Sequence, residues 1–346
     1  MTKQFGGRVT KALQQQYEQS SNWRDGRFQN IEETTMNISI LTLPKILYKQ
    51  FCQTEGRTPK KAIPFQQLNK HDLQSSRPGI KMAWYGHSAI LLQINNYIIL
   101  IDPMFGPNAA PSAPFSIKRF SNGLLAVLNH LPQIDLVLLS HDHYDHLDLA
   151  SINVIKQKTK TFFTALGVKR HLVSWGIEAS KIKEFDWWQQ EMFNDIKITF
   201  TPTRHFSGRG LSDRAKSIWG GWAIHTAEGN YWFSGDSGYG NHFKEIGKRL
   251  GPFDFAWMEC GQYNEHWHQI HMFPEESIQA ALDANVKFAM PVHWAGFALA
   301  QHHWVEPVNR FLKEAGLKKL PVTVPELGQL FYPGEMFLKT WWHQFD

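Results

Sequence analysis

Cysteine is nearly absent from this chain of 346 residues, which has only Cys52 and Cys260. Neither stands in a paired metal-binding or redox spacing, so a disulfide framework, a thiolate zinc site and thioredoxin-type chemistry are excluded and a reducing compartment is implied. Long apolar runs are missing too. No stretch reaches the roughly 18 residues that a membrane-spanning helix needs, and the first seven residues lack the apolar core of a signal peptide, so a cytoplasmic protein is expected. Charge of one sign is scarce: 36 Lys and Arg stand against 31 Asp and Glu, for a net charge of +5. The basic residues are scattered, without the arm or the aromatic–basic interleaving that a polynucleotide requires, which disfavours nucleic acid as a ligand. No repeat of solenoid period is present.

What the chain does have is 42% hydrophobic residues, enough for a substantial core. Fourteen of them are tryptophans. Core packing accounts for most of these, while Trp187, Trp188, Trp219, Trp222, Trp267, Trp294, Trp304, Trp341 and Trp342 also offer material for an apolar groove.

The densest chemistry lies in Ser140-His141-Asp142-His143-Tyr144-Asp145-His146, directly behind the apolar run Ile134-Asp135-Leu136-Val137-Leu138-Leu139. Near a strand end, residues two apart point the same way, so His141 and His143 can converge on one cation. Asp145 and His146 fall in the following turn and can address a second. Such a site needs further donors, and they recur at other strand ends: His205 after Ile196–Pro202, Asp236 after Tyr231–Gly235, and His293 after Phe288–Val292. Imidazole and carboxylate without thiolate suit zinc, and iron or manganese as well.

The pattern His-x-His-x-Asp-His, then a lone His, a Gly-Asp and a final His resembles that of the metallo-β-lactamase-fold hydrolases. Within that superfamily the chain is most similar to the N-acylphosphatidylethanolamine-hydrolysing phospholipase D family and its bacterial relatives. The words that carry this are Trp84-Tyr85-Gly86-His87-Ser88, Ile101-Asp102-Pro103-Met104-Phe105, Ser140 to Asp148, Pro202 to Arg209, Gly235-Asp236-Ser237-Gly238-Tyr239 and Pro291-Val292-His293-Trp294, with an echo in Trp23 to Phe28. The resemblance implies a four-layer αββα sandwich of the α/β (α+β) class. It also implies two divalent metal ions, His141, His143 and His205 holding one, Asp145, His146 and His293 the other, and Asp236 bridging both. A hydroxide shared by the ions would then attack a phosphodiester of phospholipase D type, with no serine or cysteine nucleophile needed.

Asp145 and His271 are the candidate catalytic residues. His271 precedes the helix start Pro274-Glu275-Glu276, and in the lipid-hydrolase family a His at this place belongs to the active site; Met272-Phe273 departs from the usual residues between them. His266 and His268 are the substitutes for that role. The resemblance gives His87 no metal-ligand role. Arg204 and Arg209 can meet a phosphate or brace the loop around His205, and both readings stay open. Tyr144 is expected to pack and Asp142 to be solvated. The leading substrate is an N-acylphosphatidylethanolamine-like lipid; the alternative is a sugar-phosphate lactone or another small anionic molecule. A fold that has lost its chemistry is disfavoured, since all seven donors are present.

Donors that run from His141 to His293 and must meet at one point leave no room for a domain boundary between them. The reading is a hydrolase domain over 81–346 and an N-terminal extension over 1–80 packed on it. Strands are expected near Lys81–Tyr85, Ala89–Ile94, Tyr97–Ile101, Leu136–Leu139, Thr161–Thr164, Lys197–Thr201, Gly221–His225, Tyr231–Ser234, Phe255–Met258 and Phe288–Met290. Helices are expected over Leu149–Gln157, Val168–Trp175, Phe243–Leu250, Glu275–Asp283 and Pro307–Ala315. In the extension, Ile38, Ile40, Leu41, Leu43, Ile46, Leu47 and Phe51 crowd together beside Lys45 and Lys49, with Pro44 expected to interrupt any single helix. This segment is either a strap across the sandwich or an amphipathic face for peripheral membrane contact.

Overall fold

The computed structural model describes residues 3–39, 41–68, 70–73, 79–110, 116–210, 212–337 and 339–346; Ile40 lies outside them. After a small hairpin, β1 (Trp23–Arg24) and β2 (Arg27–Phe28), the chain forms β3 (Ile80–Trp84), β4 (Ile90–Ile94), β5 (Tyr97–Ile101), β6 (Ile134–Leu139), β7 (Thr159–Ala165) and β8 (Ile182–Phe185), side by side in that order. A second sheet follows from β9 (Gln190–Phe193), β10 (Ile196–Pro202), β11 (Gly220–His225), β12 (Asn230–Phe233), β13 (Phe255–Glu259) and β14 (Ala289–Val292), again in chain order. Each sheet begins antiparallel and ends parallel, from β5 to β8 and from β12 to β14.

The helices are α1 (Lys11–Tyr17), α2 (Leu43–Cys52), α3 (Lys70–Leu73), α4 (Val127–His130), α5 (Leu149–Ile155), α6 (Lys169–Ser174), α7 (His242–Leu250), α8 (Pro274–Asp283) and α9 (Glu306–Lys318). Two mixed sheets flanked by helices make the αββα sandwich that the resemblance implies. One continuous apolar cluster joins the sheets, from Leu91 and Val137 on one to Phe200, Trp232 and Met290 on the other. Among the described residues no helix is long and apolar enough to cross a membrane.

The parallel strands were the easiest to read because neighbours cover both their faces. Every residue of β6 and β13 is buried, so the sequence shows a nearly continuous apolar run, broken in β6 at Asp135 and closed in β13 by Glu259, that suits a central strand. β8 and β9 have no counterpart among the expected strands. Each is one edge of its sheet, opposite β3 and β14, and Lys183, Glu184 and Glu191 break their apolar pattern in the way that protects an open edge from pairing.

Pro44 does not interrupt a helix. It sits in the first turn of α2, where the missing N–H would have had no partner and the fixed φ is already helical. Asp142 is not solvated either: it is fully buried, accepting from Gly208 N (2.7 Å), Ser217 Oγ (2.7 Å) and His171 Nε2 (3.2 Å). A carboxylate between two metal-loop histidines reads as polar surface, but here it ties that loop to α6 and to the turn after His205.

The N-terminal residues run along the same region. Lys3, Gln4 and Gly7 offer carbonyls to Trp175, Arg209 and Arg170, and Tyr17, Trp23 and Phe28 form a buried aromatic trio. Asn30 reaches furthest, accepting from His205 N (3.0 Å) and donating to His205 O (2.8 Å).

Candidate metal centre

The loops that leave the C-terminal ends of the strands carry the site, as expected where parallel strands open a crevice beyond their carboxyl ends. β5 is followed by Asp102, β6 by His141, His143, Asp145 and His146, β10 by His205, β12 by Asp236, and β14 by His293. The Gly of the Gly-Asp word is required by the backbone. Gly235 has φ +65°, and a Cβ there would lie 2.3 Å from the Gly220 carbonyl oxygen. Gly235→Ala is therefore expected to destabilise the fold by at least about 1–2 kcal/mol from the left-handed conformation alone, measured by urea unfolding.

His141, His143 and His205 converge. His141 Nε2 lies 2.9 Å from His143 Nδ1, and His205 Nε2 lies 3.1 Å from that same atom. Asp145, His146 and His293 form a second group, with Asp145 Oδ2 3.5 Å from His146 Nε2 and 3.3 Å from His293 Nε2. Asp236 Oδ2 stands between them, 3.0 Å from His146, 3.1 Å from His293, 3.8 Å from His141 and 3.9 Å from His205. The seven expected donors thus meet in one buried place.

Several of these atoms have no use for their lone pairs or charge within the protein. His146 Nε2 and Asp236 Oδ1 are buried without a hydrogen-bond partner among the described residues. Burial pushes His141, His143 and His205 down, His143 to about 4, so all three are neutral imidazoles near neutral pH. Burial alone would raise Asp145 and Asp236, but the neighbouring histidines hold both well below the usual carboxylate range. Burial opposes protonation of His146 and His293 as well, yet the facing carboxylates raise both, His293 to about 10. Neutral imidazoles and ionised carboxylates gathered in one place, with protons on His146 and His293 that a cation would displace, are consistent with a dinuclear metal site.

A supporting layer fixes which nitrogen points inward. His205 Nδ1 donates to Ile270 O (2.9 Å), His141 Nδ1 bonds Ser140 Oγ (2.9 Å), and His146 Nδ1 bonds Asp102 Oδ2 (2.8 Å), which leaves each Nε2 for the site. Asp102 also accepts from Ser140 N (2.8 Å) and Ser140 Oγ (2.5 Å). Asp102→Asn is expected to weaken metal binding about 10–100-fold, read by competition with a chelator, because the His146 ring loses its anionic anchor.

His87 is buried, with Nε2 2.7 Å from Asp145 Oδ2 and its ring 4.2 Å from that of His293. It lies within reach of the second group and steadies Asp145 through this bond. Arg209 donates to the carbonyls of Asp142, Leu147 and Gln4 and covers the Tyr144 ring, and Arg204 donates to Glu33 O, Thr34 Oγ1 and Tyr239 O. Both arginines brace backbone, and neither lines the cavity.

His271 stands at the site. Its Nδ1 is hydrogen-bonded to Glu259, its ring stacks at 5.2 Å on His293, and it lines the cavity above the donors. Neither His266 nor His268 is among the described lining residues. Glu259, buried at the end of β13, also accepts from Ser237 N (2.7 Å), next to Asp236. Asn30, Asp102 and Glu259 are the residues that sequence reasoning missed. Glu259 bears the same signal as the chosen ligands, one hydrophilic residue closing an apolar run.

The cavity holds about 330 Å³. Its lining combines His143, Asp145, Asp236 and His271 with the apolar Met36, Phe206, Trp267, Ile270 and Leu299, and with Tyr144 and Gln262. Of the tryptophans considered for a groove, Trp267 contributes, whereas Trp219, Trp222 and Trp294 are buried in the core. A larger cleft of about 530 Å³, lined by Lys183, Trp188, Glu191 and Arg249, lies at the β8 and β9 edges, away from the donors.

Buried His and Asp clusters at the loop ends of an αββα sandwich define a metal-dependent hydrolase of the metallo-β-lactamase fold. Residues 97–294 match the model of the β-lactamase superfamily domain, and the chain belongs to that superfamily. It is 38% identical to an uncharacterized protein of Mycobacterium tuberculosis over 94% of this chain and 88% of that one. It is 29% identical to N-acyl-phosphatidylethanolamine-hydrolyzing phospholipase D 1 of Caenorhabditis elegans, over 73% of this chain and 74% of the relative. The fold is shared with YhfI of Bacillus subtilis, a metallo-β-lactamase fold protein, at a TM-score of 0.52 and 19% identity over 74% of this chain and 99% of that one.

Proposed function

We propose that the protein is a dinuclear phosphodiesterase of phospholipase D type acting on N-acylphosphatidylethanolamine-like lipids, with zinc as the native metal. The observation that carries this reading is the mixed lining of the cavity, where the candidate metal donors His143, Asp145 and Asp236 share one space with the apolar Met36, Phe206, Trp267, Ile270 and Leu299. A substrate with a charged phosphate and an apolar tail matches both kinds of lining. The similarity to the nematode enzyme supports the same substrate class.

His141, His143 and His205 would hold one ion, Asp145, His146 and His293 the other, and Asp236 both. When bound, the two cations would lower the pKa of water at the site and draw charge from a non-bridging phosphate oxygen. The remaining chemistry falls to the chain. The attacking water loses a proton and the leaving alcohol needs one as its P–O bond breaks; His271 is placed to pass it on, taking it at Nε2 and giving it to the alcohol, while Nδ1–H donates to Glu259 and leaves Nε2 for the cavity. The apolar lining residues would receive the acyl chain and displace water from around it.

A sugar-phosphate lactone is the rival substrate. The described lining contains no Lys or Arg to recognise a small polyanion, and this favours the lipid. Turnover of metal-loaded protein on N-acylphosphatidylethanolamine should release N-acylethanolamine and phosphatidic acid, with sugar-phosphate lactones converted at least about a hundredfold more slowly in kcat/KM, as a missing apolar tail would dictate. Faster lactone opening would overturn the assignment.

A further inference from the structure

A surface helix normally turns its apolar side toward the core, and α2 does the reverse. Ile46 is buried, whereas Leu43, Leu47 and Tyr48 are exposed; Ile38 and Leu41, just before the helix, are exposed as well, Leu41 at 91%. Leu43 and Leu47, one turn apart, share a face of the helix, and Tyr48, about 100° further round, is exposed as well. Five of the ten exposed large hydrophobic side chains among the described residues fall between positions 38 and 48. Isolated exposed apolar residues need no explanation, but a cluster does.

Two observations select what covers it. The first is charge. From Thr34 to Thr54 there is no Asp or Glu, and Lys45 and Lys49 are the charged residues. An apolar face with a cationic border suits an anionic bilayer. A second copy of the chain docking through this same face would bring the two lysine pairs against each other, because a two-fold contact is self-complementary.

The second observation is position. Met36 lines the metal-site cavity, Asn37 N donates to His266 O (2.8 Å), and Gln301 Nε2 donates to Ile46 O (3.0 Å), so the apolar segment is tied to the cavity rim. We infer that α2 and the turn before it form an interfacial anchor that lays the mouth of the metal-site cavity against an anionic lipid bilayer. This reaches beyond the hydrolytic reading and does not depend on it, since adhesion can be measured on lipids that the enzyme does not cleave.

The full chain is sedimented with vesicles of phosphatidylglycerol and phosphatidylcholine, and with phosphatidylcholine alone, at low ionic strength. Binding to the anionic vesicles is expected. Leu41→Glu with Leu47→Glu should lower the partition at least about tenfold. Lys45→Gln with Lys49→Gln should lower it about twenty-five-fold, at about fivefold for each lysine near a charged surface. Leu41 and Leu47 are already in solvent, so circular dichroism and metal content should match the parent protein. Wild-type protein left in the supernatant, or variants that bind as well as wild type, would overturn the proposal. So would a dimer that the leucine variant dissociates while the parent ignores vesicles, since the face would then be a subunit interface.

Discussion

Asp236→Asn is expected to lower bound metal from two equivalents to one or fewer and to abolish hydrolysis, while far-ultraviolet circular dichroism stays unchanged. The reason is the placement of Oδ2 within 4 Å of histidines from both groups, and of Oδ1, which has no hydrogen-bond partner among the described residues. An amide keeps the shape but removes the negative charge that opposes two cations. Losing a mere supporting partner of a metal ligand costs about 10–100-fold in affinity or activity, so loss of the shared carboxylate should exceed about a hundredfold. Near-normal metal content and rate in this variant would remove the bridging role.

His271→Ala should separate proton transfer from metal binding. Two equivalents of metal should remain, and kcat on a phosphodiester with an alkyl alcohol leaving group should fall by about 10²–10⁴, the range for losing a positioned general acid. A nitrophenyl leaving group departs without protonation, so with such a substrate the loss should shrink to a few-fold. Equal losses on both substrates, or loss of a metal ion, would mean that the ring serves the ions instead. His271 lies close enough to Asp236, Glu259 and His293 for that outcome to be a real contest. Glu259→Gln is expected to follow His271→Ala in direction with a smaller effect, because it acts through the ring it orients.

How much of this could be read from the chain depended on whether a residue's partners were near it in sequence. His141, His143, Asp145 and His146 sit within six positions behind a buried strand, and His205, Asp236 and His293 each close an apolar run, so all seven stood out. Glu259 closes such a run too, but a lone carboxylate after a strand is common, and only its contacts with His271 and Ser237 give it a role. Asp142 was misread because its partners, His171, Gly208 and Ser217, are 29, 66 and 75 residues away. Asn30 grips His205 across 175 positions, and no periodicity could announce that.

The fold shows the same division. Central strands such as β6 and β13 were legible because burial on both faces demands a nearly continuous apolar sequence, here with Asp135 and Glu259 as the polar residues. The edge strands β8 and β9 were not, because charges that protect an edge also erase its pattern. α2 was misjudged through Pro44, which reads as a breaker when its position in the first turn is unknown.

The most direct measurement is anomalous scattering from crystals of the zinc-loaded chain. Two peaks are expected, one among the nitrogens of His141, His143 and His205 and the other among Asp145, His146 and His293, with Asp236 touching both. A single peak, or metal bound away from these side chains, would contradict the account.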